Sequence, residues 1–136
     1  QERDGGLMWE VKTDDGGLRD KDWVYTGYES TGENGNGVCD AAKSCNQSYF
    51  RDAVNAVGLC GYRDWRLATV TELESLQDSS RSSAPFINTQ YFPFTVSGRY
   101  WATNANLNIW WVDFSEIDSG LTRFKNIQHH VRLVRP

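Results

Sequence analysis

Residues 119–136 concentrate the side chains with the clearest chemical use. Arg123, Lys125, Arg132 and Arg135 stand there with His129 and His130, and no Asp or Glu follows Asp118. A guanidinium fork matches the oxygens of a sulfate or carboxylate bidentately, and paired histidines add latent positive charge. A face built from Arg123, Lys125, His129 and His130 would therefore suit an anionic ligand. Arg132 and Arg135 are expected instead to pair with acids at the edge of the core. Upstream, Asn104, Asn106 and Asn108 precede Trp110 and Trp111. Amide groups hydrogen-bond sugar hydroxyls, and an indole can stack on the face of a sugar ring. Neighbours on a strand point to opposite faces, so one of the two Trp must leave the core. Trp110 is assigned to the ligand face, which Arg99 completes.

Other constellations carry less. Glu33, Asn34, Asn36 and Asp40 sit in a Gly-rich loop, and Asp113, Glu116 and Asp118 lie near a turn. Hard oxygen ligands of this kind suit Ca²⁺, but neither order is that of an EF-hand, and solvated turns explain both. His129 or His130 could be combined with Asp113 or Asp118 and a serine, yet no nucleophile-elbow context accompanies them. Both histidines are expected on the surface of a β-hairpin, and the chain is expected not to be an enzyme. Three cysteines, Cys39, Cys45 and Cys60, leave at least one unpaired within the chain. They form no CxxC, and the adjacent histidines are poorly spaced for zinc.

These side chains must be positioned by one small domain. The chain has 136 residues, 39% of them hydrophobic and 13% aromatic, including six Trp. Large rings bury much area each, so one core can close. Disorder would call for few aromatics and a large net charge, whereas the net charge is -4. That charge is uneven: residues 1–60 carry 6 basic and 11 acidic side chains, residues 61–136 carry 8 and 7. The overall acidity argues against nucleic-acid binding. No apolar run approaches a membrane span, so no insertion is expected. The chain opens on Gln1 rather than Met, which reads as a fragment or processed product with any export signal upstream. Residues 1–5 read as a linker remnant.

Leu7, Trp9 and Val11 alternate with polar or flexible neighbours and predict a first strand, followed by an Asp14-Asp15-Gly16-Gly17 turn. Asp22 to Tyr25 reads as a short extended piece, and residues 29–45 as a long loop. Asn46 is placed to cap a helix over 47–57, with Phe50, Ala53, Val54 and Val57 as its buried stripe and Gly58 as its left-handed end. This helix separates Cys45 from Cys60 by roughly 16 Å, too far for a bridge. Cys39 is left with Cys45, across a short polar loop, or with Cys60. Thr69 with Glu72 is a capping-box signature for a second helix whose inner face is Val70, Leu73 and Leu76. The remainder predicts strands at 100–103, 109–114, 121–125 and 129–135. The fold class is α+β, with two helices, an irregular antiparallel sheet and an N-terminal strand free to pair with the last.

The segment Gly58-Leu59-Cys60-Gly61-Tyr62-Arg63-Asp64-Trp65-Arg66-Leu67, followed by Thr69-Val70-Thr71-Glu72-Leu73, resembles the C-terminal domain family of Legionella collagen-like adhesins. Gly6-Leu7-Met8-Trp9, Tyr100-Trp101-Ala102-Thr103 and Val131-Arg132-Leu133-Val134-Arg135 resemble further family segments in the same order. Ala68 stands where the family usually has Pro, which should cost only local rigidity. The resemblance implies a fold like that of C-type lectins and formylglycine-generating enzymes, with secretion or display at the bacterial surface. The cysteine pair of the latter enzymes has no counterpart in the C-terminal half here. It favours a Cys39–Cys45 disulfide. It also implies an adhesin that binds glycans, notably sulfated polysaccharides such as glycosaminoglycans, and a homotrimer, which would turn weak contacts into avidity. No cofactor is expected apart from the calcium weighed above. Retroelement-diversified members of the wider fold suggest the alternative of a protein-binding display domain.

Overall fold

The computed structural model describes residues 2–4, by their backbone, and 6–27, 38–39, 45–104, 109–121 and 126–136, with their side chains. In chain order the elements are β1 (Glu2–Asp4), β2 (Leu7–Trp9), β3 (Tyr25–Thr26), α1 (Gln47–Val57), β4 (Arg66–Leu67), α2 (Val70–Glu74), β5 (Arg99–Thr103), β6 (Ile109–Asp113), β7 (Asp118–Leu121), β8 (Gln128–His129) and β9 (Leu133–Arg135). The architecture is α+β. Glu2–Asp4, read from the sequence as part of a linker, pair with β2.

The chain ends are tied together as the alternation of Leu7, Trp9 and Val11 suggested. In the four-stranded antiparallel sheet β1-β2-β9-β4, β9 lies between β2 and β4, with Trp9 opposite Val134 and Leu67 opposite Leu133. A second sheet has the order β5-β6-β7, and a third pairs β3 with β8. The segment 129–135 is therefore not one strand. Its first residues pair with β3 and its last with β2 and β4. Residue 130 in between is stitched to β5, His130 N–H donating to Arg99 O at 3.0 Å and Trp101 N–H to His130 O at 2.8 Å. Leu121, expected to open a strand over 121–125, instead ends β7 opposite Trp110.

Strand parity divides the apolar side chains between two cores. Tyr100, Ala102, Val112 and Phe114 pack with Trp9, Leu73, Ile87, Phe92 and Val134. Trp101 and Ile109, of opposite parity, pack with Tyr25, Phe50, Val54, Trp65, Val131 and Leu133. β5 is thus covered on both faces, which accounts for its run of three buried residues.

Both helices start where local chemistry requires. Asn46 Oδ1 accepts from Tyr49 N–H at 2.8 Å, and Gly58 takes φ 67° at the other end of α1. Phe50 and Val54 are buried and Ala53 is half-buried, but Val57 is 68% exposed: the stripe ends one turn before the helix does. Thr69 and Glu72 form the reciprocal capping box of α2, and Glu72 also receives a bidentate contact from Arg66 at 2.8 and 2.9 Å. Cys39 and Cys45 form a disulfide with Cα atoms 5.9 Å apart. Cys60 is free and exposed.

The closing arginines act structurally. Arg135 pairs with Asp64 at 2.6 Å and its guanidinium lies 3.6 Å from the Tyr62 ring. Arg132 is fully buried; it donates to Glu10 O at 2.7 Å and Thr95 Oγ1 at 2.9 Å and faces the Phe92 ring. Beside it Glu10 and Lys12 form a buried ion pair at 3.0 Å. Burial pushes the Lys12 ammonium down to about 8, against the pull of Glu10.

Candidate functional site

On β5, β6 and β7 one surface combines a charged fork with an aromatic ring. The register sets Arg99 opposite Asp113 and Trp101 opposite Trp111, and Trp111 opposite Gly120 on the far side. Arg99 Nε donates to Asp113 Oδ2 at 3.4 Å, and its guanidinium carbon lies 3.7 Å from the centre of the Trp111 ring. Gly120 is needed for this arrangement: a Cβ there would come within 2.5 Å of the Trp111 ring. The Arg99 side chain is 43% exposed and that of Asp113 only 9%. Asp113 Oδ1 accepts from Ser115 N–H at 2.8 Å and Ser115 O–H at 2.6 Å. Although burial works against it, these hydrogen bonds and Arg99 hold the Asp113 carboxyl below its ordinary range.

Trp110 has the opposite orientation from the one assigned to it. It shares its parity with Val112 and Phe114 and packs against the first core, its Nε1 buried with no partner among the described residues. The ring of the pair that Arg99 covers is Trp111. Parity held the signal: Val112 and Phe114 are the obvious core residues of 109–114, and counting back from them places Trp110 inward. Gly120 and the Arg99–Asp113 pairing carried no sequence signal, because both depend on register between strands.

The histidines are not surface residues of a basic hairpin. His129 packs at a tilt against Trp101, ring centres 4.5 Å apart, and His130 against Tyr100 at 5.2 Å. His130 Nδ1–H donates to Trp23 O at 3.0 Å. Both are half-buried. Burial, joined at His129 by the nearby Arg99 charge, pushes each imidazole down to about 4. At neutral pH both rings are uncharged, so they add shape and polarity to the surface rather than positive charge. Asn104 is half-buried just past β5. Asn106, Asn108, Arg123 and Lys125 lie outside the described residues.

The loop residues Glu33, Asn34, Asn36 and Asp40, whose oxygens could suit calcium, lie outside the described residues as well. Asp113, Glu116 and Asp118 do not converge as a cluster of metal ligands; Asp14, Asp20 and Asp22 do, with carboxylate oxygens within 4.8 Å of one another. Their geometry has an internal explanation. Asp20 accepts from Gly16 N–H at 2.8 Å and Asp22 N–H at 2.9 Å, and Lys21 supplies a counter-charge to Asp22 at 3.0 Å.

Among the described residues no helix is long and apolar enough to cross a membrane. Neither the curated proteins nor the solved structures gave a match. The family comparison did: the model of the Lcl C-terminal domain matches residues 1–135. With the chain ends paired, the capping box formed and the closing arginines placed as structural residues, the chain belongs to the Lcl C-terminal domain family, a family of adhesin-like domains.

Proposed function

We propose that this domain is a non-enzymatic adhesin module that binds a glycan, with sulfated polysaccharides such as glycosaminoglycans as the leading class. Membership of the Lcl C-terminal domain family carries the reading. The exposed Arg99 guanidinium over Trp111 supports it, because it offers an oxyanion fork beside an aromatic surface. Secretion or display at the bacterial surface, a C-type-lectin-like fold and a homotrimer belong to the same reading. The termini held side by side by β2 and β9 are compatible with such a fold. The ligand is an environmental or host polysaccharide, and no catalytic residue, nucleic acid or membrane insertion is involved.

The test is a glycan array that includes heparin and other sulfated chains, repeated at raised salt and with EDTA. Salt-sensitive retention of sulfated chains is the expected result; sensitivity to EDTA would add a calcium requirement. Silence across the array would move the function to the second reading, a protein-binding display domain. That reading is favoured by Tyr91 and Phe94, which are 53% and 40% exposed in one segment and would suit a protein partner. A pull-down in which Tyr91→Ser and Phe94→Ser abolish capture would then identify the surface.

A further inference from the structure

We infer that Arg99 is a preorganised fork for one sulfate or carboxylate group of the bound chain, and that Trp111 and Gly120 are its positioning residues. This deepens the glycan reading and rests on it. An exposed arginine ordinarily loses much rotamer freedom when it binds, which subtracts from affinity. Here that freedom is already restricted from two directions. Asp113 holds Nε at 3.4 Å, and the Trp111 ring lies 3.7 Å from the guanidinium carbon. The ring is itself seated by Gly120, the residue opposite it on β7, since a Cβ there would overlap the six-membered ring. Asp113 is fixed in turn by the two hydrogen bonds from Ser115.

With Nε engaged, the Nη1 and Nη2 groups have no partner among the described residues, and the side chain is 43% exposed. A planar fork held by its inner edge offers its outer edge to two oxygens of a single oxyanion. The Asp113 carboxylate offsets part of the guanidinium charge, so what the outer edge supplies is a pair of aligned N–H donors rather than an excess of charge. An ammonium on a flexible stem could supply the charge at this position but neither the planar stack on the indole nor the paired donors.

The test compares wild type with Arg99→Lys, Arg99→Ala and Gly120→Ala for binding to immobilised heparin, to desulfated heparin and to carboxyl-reduced heparin. Thermal unfolding verifies that each variant is folded, and Trp111→Leu replaces Gly120→Ala if the latter is not. A fork predicts that Arg99→Lys loses about tenfold in affinity, as much as Arg99→Ala. It also predicts that Gly120→Ala loses severalfold with no change of charge. Whichever modified heparin abolishes the difference between wild type and Arg99→Lys identifies the oxyanion held. If wild type binds heparin and Arg99→Lys binds equally well, Arg99 is only a diffuse charge and the assignment is overturned while the glycan reading stands. If wild type binds none of the three chains even at low salt, the glycan reading is lost and the fork with it.

Discussion

Arg132 and Arg135 stand three residues apart in the closing segment and have unequal roles. Arg135 makes a partly exposed ion pair with Asp64, of a kind worth little in water. Arg132 is buried with Glu10 and Lys12 and bonds backbone, hydroxyl and aromatic faces at once. Removing it takes the donor from Glu10 O and Thr95 Oγ1 and leaves a cavity beside Phe92 and Tyr100. Arg132→Ala is expected to cost about 3–5 kcal/mol in denaturant unfolding. The histidines give the chain an acid sensitivity of definite sign. Both are held near 4 in the folded domain against an ordinary 6.5. Above pH 6.5 neither state is protonated and stability is fully retained. As the pH falls from 6.5 toward 4 the unfolded chain binds protons that the folded one refuses, and stability declines. His130→Gln should flatten the dependence of the melting temperature on pH between 7 and 4.5; an unchanged slope would show that other groups control it.

Among the elements, α1 shows how far local chemistry reaches. Its cap, its buried Phe50 and Val54 and its left-handed end were all legible, because each depends on neighbours within a few positions. Asn46→Ala should cost about 1 kcal/mol, measured by urea unfolding. What local periodicity could not supply was the extent of the covered face: Val57 continues the stripe but remains 68% exposed. The strands divide in the same way. The existence of β5 and β6 followed from their aromatic and β-branched runs. The division of 129–135 between β8 and β9, separated by His130, Val131 and Arg132, followed from which distant strands were available to pair.

For the molecule as a whole, β9 is the keystone. It pairs with β2 and β4 and sends Leu133 and Val134 into separate cores. Deleting residues 133–136 should abolish cooperative thermal unfolding, because both cores lose a wall and two strands lose their ladder. The disulfide constrains far less of the chain. Cys39 and Cys45 are separated by 6 positions, and closing so short a loop restricts the unfolded state by only about 2 kcal/mol. Reduction is expected to lower the unfolding midpoint while leaving the domain folded, which circular dichroism in reductant would check.

The sequence by itself determined the α+β class, both helix caps, the strands read at 100–103 and 109–114 and the meeting of the chain ends. It also supported the family resemblance, which favoured the Cys39–Cys45 pair. All of these are written in short-range patterns or in long motifs. Only the tertiary structure decided that Trp110 points inward and Trp111 carries Arg99, and that both histidines are half-buried and neutral. Only it showed that Gly120 makes room for an indole from the next strand. The reason is register. Which residue lies across from which is fixed by the packing of two cores at once, and a single strand carries no record of its neighbour.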